Sequence, residues 1–138
     1  MNPSDELKAV ILRFYESETA GDVRAVQGCL SRQDGVLEIG TDPNEWWTGY
    51  DTIARVLEAQ LSEMGGARIE AGDLSAFVEG TVGWIADRPT IRMPNGQELS
   101  MRLTAVLHKE NGEWKFVQHH ASVGVPNVQV LGKELTTT

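Results

Sequence analysis

Apolar positions recur at three- and four-residue steps through the first half of the chain, the period of a helix with one buried face. Leu7, Val10, Ile11, Phe14 and Glu18 fall on one such stripe, with Ser4 placed as its N-cap after Pro3. Gly21 ends that helix. Asp22 opens a short second one carrying Val23, Val26, Cys29 and Leu30. After the turn residues Asp34-Gly35, Val36 to Ile39 reads as a brief strand. Thr48-Gly49-Tyr50-Asp51 has the form of a capping box. The helix it predicts places Ile53, Val56, Leu57, Leu61 and Met64 on one side and stops at Gly65-Gly66.

Beyond Gly66 the period changes to that of strands. Glu79-Gly80, Asn95-Gly96 and Asn111-Gly112 are turn pairs, and Asn-Gly is the strongest short hairpin signal. They divide the second half into four expected strands, about 67–78, 81–93, 97–110 and 113–125, arranged as a meander. Helices followed by strands define an α+β fold: a curved, mainly antiparallel sheet wrapped by three N-terminal helices, with no helix expected beyond residue 100. Residues 1–125 form the expected pocket domain and 126–138 a C-terminal tail.

Composition narrows the function classes. The chain has 138 residues, 41% hydrophobic and 23% charged, the profile of one globular domain. Twenty acids against twelve bases give a net charge of −8, which repels phosphate backbones and anionic lipid. Nucleic acid and membrane are therefore not expected partners. The polar start MNPSDELK does not read as a signal peptide, and Cys29, the only cysteine, fits a reducing, cytoplasmic setting.

Several local words, in this order, resemble the SnoaL-like domains of the nuclear-transport-factor-2-like superfamily. They are Ala20-Gly21-Asp22, Trp47-Thr48-Gly49-Tyr50-Asp51-Thr52-Ile53, Gly83-Trp84, and the run from Asn111 to Ser122. The resemblance spans residues 5–125. It implies a cystatin-like cone with a deep pocket at its wide end, commonly paired through the outer sheet face. It does not imply one activity, because the superfamily includes isomerases, cyclases, dehydratases and association domains. The ketosteroid isomerases set a phenol, a carboxylate base and a second acidic donor in the pocket. Those positions fall on Phe14 with Tyr15 one step along, on Glu38 or Ile39, and on Val106. Two of the three roles are missing or displaced, so the isomerase activity is not carried over.

Counting cross-strand pairs outward from tight Asn-Gly turns divides the side chains between two faces. One face gathers Asp87, Arg102, Thr104 and His119 among Ile85, Val106 and Val117; the other gathers Trp84, Leu103, Leu107, Trp114, Phe116 and His120. The first has the makeup of a ligand site, apolar walls with a few polar groups. A pocket-lining isomerase position also falls on His119 by the resemblance.

His119 is the candidate general acid or base, with Asp87 fixing its tautomer; the plainer reading is a hydrogen-bonded histidine that contributes only shape. Tyr15, Arg102, Thr104, Val106 and Val117 are expected to line the pocket, with Trp46 and Trp47 at its mouth unless they bury in the core. His120 takes the place of His119 if one β-bulge intervenes. No spacing suggests a metal site, and no cofactor is implied.

The expected function is a small-molecule pocket for an apolar organic ligand, with proton transfer, isomerisation or hydration as possible chemistry. The competing reading is a non-catalytic association module. In either case the apolar patch of Leu103, Leu107, Trp114 and Phe116 is expected to form a homodimer.

Overall fold

A computed structural model describes residues 1–138. Helices α1 (Asp5–Ala20), α2 (Val23–Gly28) and α3 (Tyr50–Glu63) occupy the first half. Their caps follow the sequence in two cases of three. The Ser4 hydroxyl accepts from the Leu7 amide at 3.1 Å, and the Asp22 carboxylate accepts from Ala25 at 3.1 Å. Gly21 closes α1 in the left-handed conformation, φ 66°. The expected capping box of α3 does not form: Thr48 lies in a strand and the N-cap is Gly49, which has no side chain to cap with.

The strands are β1 (Asn2–Pro3), β2 (Leu37–Ile39), β3 (Trp46–Thr48), β4 (Arg68–Glu70), β5 (Ser75–Glu79), β6 (Val82–Asp87), β7 (Thr90–Arg92), β8 (Glu98–Ser100), β9 (Arg102–Glu110) and β10 (Glu113–Ser122). Each of the first three long strands expected after Gly66 is broken in two. The pieces build a seven-stranded sheet in the order β1-β5-β6-β9-β10-β2-β3 and a three-stranded sheet in the order β4-β7-β8. Residues 71–74, 88–89 and 101 are the bends between them. At one bend a Cβ on Gly72 would collide with the Arg88 carbonyl, so that close backbone approach requires glycine.

All pairings are antiparallel except β10 with β2, which is parallel, so the large sheet is mixed. The fold class is α+β as expected, with one correction. A fourth helix, α4 (Asn127–Leu131), follows the last strand, outside the three-helix expectation. It buries none of its residues.

Two single-residue departures reset the faces of the sheet. Asn111-Gly112 is the expected tight turn, with φ 50° and 83° and Glu113 paired to Glu110. Asn95-Gly96 is not. Met93 bonds to Gln97 at 2.8 Å around a loop of Pro94, Asn95 and Gly96, which moves Asp87 opposite Leu103 instead of Thr104. In β10 a bulge lies between Phe116 and Gln118, so His119 pairs with Ala105 and His120 with Thr104.

Under the helices the sheet therefore presents Ile85 and Asp87, then Leu103, Ala105 and Leu107, then Trp114, Phe116 and His119, all buried. With Leu7, Ile11, Phe14, Val26, Ile53 and Leu57 the apolar members form one core. This corrects the expected dimer patch. Leu103, Leu107, Trp114 and Phe116 are 7%, 0%, 7% and 2% exposed and pack inside the domain.

Candidate functional site

The wide end of the cone encloses a cavity of about 530 Å³. Its walls come from the C-terminal turns of α1 and α3, the β2–β3 hairpin, the three-stranded sheet and the far end of the long sheet. Ile69, Ile91 and Leu99 supply one apolar wall, and Leu57, Leu61 and Met64 another. A backbone bond from Ile69 to the Thr19 hydroxyl, 3.0 Å, pins the small sheet to α1. No helix is long and apolar enough to cross a membrane.

His119 stands in the wall, 9% exposed, between the rings of Phe14 and Phe116. Its Nδ1 lies 2.6 Å from Glu38 Oε1. An ionised carboxylate only accepts, so Nδ1 carries a proton and Nε2 is the atom free to give or take one. Nε2 is buried without a protein partner. Burial alone would lower the His119 pKa, but attraction and hydrogen bonding from Glu38, with Glu18 adding to them, raise it above the ordinary 6.5.

Glu38 is itself 7% exposed. Alternation in β2 turns Val36 and Glu38 inward while Leu37 and Ile39 face out, and the parallel pairing sets Glu38 directly beside His119. Glu18 comes from the last turns of α1, in the stripe that continues Leu7, Ile11 and Phe14, and also lines the cavity. Burial pushes its carboxyl up to about 7, His119 opposing and Glu38 reinforcing that shift.

Asp87 is buried and inward, yet it is not the partner of His119. Its Oδ2 accepts from the Tyr15 hydroxyl at 2.9 Å, and its Oδ1 accepts from the Arg88 and Gly72 amides at 2.8 and 3.1 Å. These bonds brace α1 against the bends of the sheet. Tyr15 lines the cavity as expected, and its pKa is raised by burial and then by Asp87, which keeps the phenol protonated.

The remaining expectations divide. Trp47 lines the cavity, whereas Trp46 is 63% exposed on the other side of the β2–β3 hairpin. Arg102, Thr104, Val106 and Val117 are not in the cavity wall. The loop at Asn95-Gly96 turns the first three to the outer face, and the bulge leaves Val117 there as the extra residue. His120, paired with Thr104, shares that outer face.

Sequence reasoning placed Glu18 only on the α1 stripe, and Glu38 only as one of two positions for a base in an activity it did not carry over. A carboxylate on an apolar helical stripe and another inside Val-Leu-Glu-Ile were the available signals.

A curved sheet closed by helices around a cavity with a histidine–carboxylate pair defines a cone-shaped pocket protein. The model of the SnoaL-like domain matches residues 7–126, and the chain belongs to that family. No curated protein matches the sequence.

Solved structures share the fold at low identity. An NTF2-like protein of unknown function from Pseudomonas putida KT2440 superposes with a TM-score of 0.80 at 15% identity, covering 96% of this chain and 93% of that one. A proposed dehydratase of the NTF2-like family from Streptomyces avermitilis gives 0.75 at 17%, covering 88% and 95%. A proposed calcium/calmodulin dependent protein kinase II association domain from Xanthomonas campestris gives 0.73 at 17%, covering 90% and 95%.

Proposed function

We propose that this SnoaL-like chain binds a mainly apolar organic molecule and catalyses proton transfer on it, as isomerisation or as hydration and dehydration. The observation that carries the reading is His119 in the cavity wall, held by Glu38 through Nδ1 at 2.6 Å, with the Glu18 carboxyl in the same wall. Glu38 fixes the ring through Nδ1 and leaves Nε2 without a protein partner, the arrangement of an oriented histidine.

Glu18 supplies the second group. With its carboxyl titrating at about 7 it is available as a base at neutral pH, while His119, raised by its partners, is available as an acid. In a dehydration, a C–H bond beside a carbonyl breaks and its proton passes to the Glu18 carboxylate. The bond to the β-hydroxyl breaks with its electron pair on oxygen, and the Nε2 proton of His119 completes the water. In an isomerisation the proton held by Glu18 returns to a different carbon. The likeness to a proposed dehydratase of the same fold supports including elimination among these reactions.

The test is hydrogen–deuterium exchange beside the carbonyl in a panel of enolisable and β-hydroxy ketones, followed by NMR in D2O. Exchange faster than in buffer, falling by about 10²–10⁴ in H119Q, is the expected result. Equal rates for wild type and H119Q across the panel overturn it.

A second reading, association through the outer sheet face, rests on a different observation. Phe77 and Trp84 stack there with centroids 6.2 Å apart, beside Val106, half-buried Leu37 and Ile39, and exposed Val82 and Trp46. This patch replaces the one expected from the sequence, and a twofold dimer would cover it without displacing the cavity. Cys29, unpaired, is consistent with a cytoplasmic home.

A further inference from the structure

We infer that the β2–β3 hairpin is the gate of the cavity, latched to α3 by the hydrogen bond between Glu45 and Gln60. This deepens the reading of a ligand-binding cavity and rests on it in holding that an organic molecule enters there.

The lining shows where the cavity meets solvent. Thr41 at the hairpin tip and Glu63 to Gly66 at the end of α3 are exposed members of it, whereas Tyr15, Glu38 and His119 are buried. Between hairpin and helix, Glu45 Oε1 accepts from the Gln60 side-chain amide at 3.0 Å, about one helical turn before Met64. Both side chains line the cavity.

The hairpin tip is bonded to itself and so moves as a unit. The Gly40 amide donates to the Glu45 carbonyl at 2.9 Å, the Asp42 amide to Glu45 Oε2 at 3.0 Å, and the Asn44 amide to Asp42 Oδ1 at 2.8 Å. A Cβ on Gly40 would collide with the Glu45 carboxylate, so glycine there lets that group fold back over its own strand end. Outward, the bond to Gln60 is the only hydrogen bond from residues 40–46 to anything beyond the hairpin.

The sheet leaves one strand free to peel. β3 is its last strand and pairs with β2 alone, while β2 is also held by β10. Release of β3 and the tip would leave the Glu38–His119 bond in place and withdraw Trp47, an aromatic part of the wall. Gly49, at φ 83° directly after β3 and with open space where a Cβ would stand, is suited to be the hinge. The small sheet is not free in this way. Ile69 is bonded to Thr19, and a Cβ on Gly66 would come within 3.0 Å of Pro94.

Two measurements on the full chain test the gate. Amide exchange followed by NMR needs no ligand. E45A keeps the backbone carbonyl that Gly40 bonds, and should speed exchange at the Gly40 amide by about three- to tenfold with β9 unchanged. Stopped-flow fluorescence with N-phenyl-1-naphthylamine, a neutral apolar probe, reads passage. E45A and Q60A should each raise association and dissociation rates together by about threefold or more, with Kd changed less than about twofold. The double variant should gain no more than either single one. E45Q should behave as wild type, because the Gln60 amide can turn over and accept from it. The inference is overturned if Gly40 exchange is unchanged in E45A. It is equally overturned if the probe binds E45A with an unchanged association rate, the behaviour of a residue that only shapes the wall. A wild type that binds no probe overturns the reading of an apolar-ligand cavity, and the gate with it.

Discussion

The Tyr15 hydroxyl donates to Asp87 Oδ2 across 2.9 Å, joining the middle of α1 to the end of β6 inside the domain. With Gly72 and Arg88 also donating to it, Asp87 accepts three hydrogen bonds from the structure around it. It holds the bends that fold the small sheet over the cavity. It makes no hydrogen bond to His119, which pairs with Glu38 instead.

Removing that donor should therefore reduce stability. Y15F leaves a buried carboxylate oxygen unpartnered, and a loss of about 1–3 kcal/mol is expected from urea unfolding. An unchanged midpoint would show that Asp87 finds compensation elsewhere.

Stability should fall as pH rises through neutrality. Glu18 titrates at about 7 in the folded chain against an ordinary 4.5, so the native state holds its proton more tightly. Its contribution is fully present below 4.5 and is lost as pH rises to about 7. His119, also raised, contributes fully below 6.5 and loses that contribution as pH passes its folded pKa. Both act in one direction. Unfolding midpoints at pH 5 and pH 8 should differ, acid being the more stable for these groups, and E18Q should shrink the difference.

Glu38 is a positioning residue for His119. In E38Q the attraction that raises the imidazole pKa is gone, and burial remains to lower it. The NMR titration of the His119 ring should move to lower pH, with exchange activity reduced but not abolished. A titration curve identical to wild type would remove Glu38 from the site.

The outer and inner faces of the sheet predict opposite mutant behaviour. W84E should yield a folded monomer from a dimer that buries on the order of 1,500 Å². F116E should lose at least about 3–5 kcal/mol and fail to fold, since Phe116 is 2% exposed in the core. Light scattering paired with circular dichroism reads both. A monomeric wild type at micromolar concentration would refute the dimer.

Much of this architecture is legible in the residues. The α1 stripe, its Ser4 and Gly21 caps, the α2 cap at Asp22 and the Asn111-Gly112 turn all follow from local chemistry. Inward placement of His119 and Asp87 is also correct, though by compensation. The loop at Asn95-Gly96 holds one residue more than a tight turn, and β10 holds one residue more than its partner. Strand faces alternate with period two, so each extra residue inverts everything beyond it. The first inversion carried Arg102, Thr104 and Val106 to the outside. The second returned His119 to the cavity. The Asn95-Gly96 pair reads the same in a two-residue turn and in the three-residue loop with Pro94, and no residue between Phe116 and Gln118 signals a bulge. The pairing of His119 with Glu38 was harder still to read, since 81 residues and a parallel strand contact separate them.

The bulge between Phe116 and Gln118 gives the Glu38–His119 contact a second meaning. Were the extra residue absorbed by slippage of the distal strand, Gln118 and His120 would turn inward and His119 outward. Little in the apolar pattern resists that slip, because two adjacent histidines are almost interchangeable in bulk. The bond to Glu38 is one contact that tells them apart. It reinforces the frame that the backbone pairing of β10 with β2 sets: the carboxylate that orients the imidazole also favours the register in which His119, and not His120, lies inside.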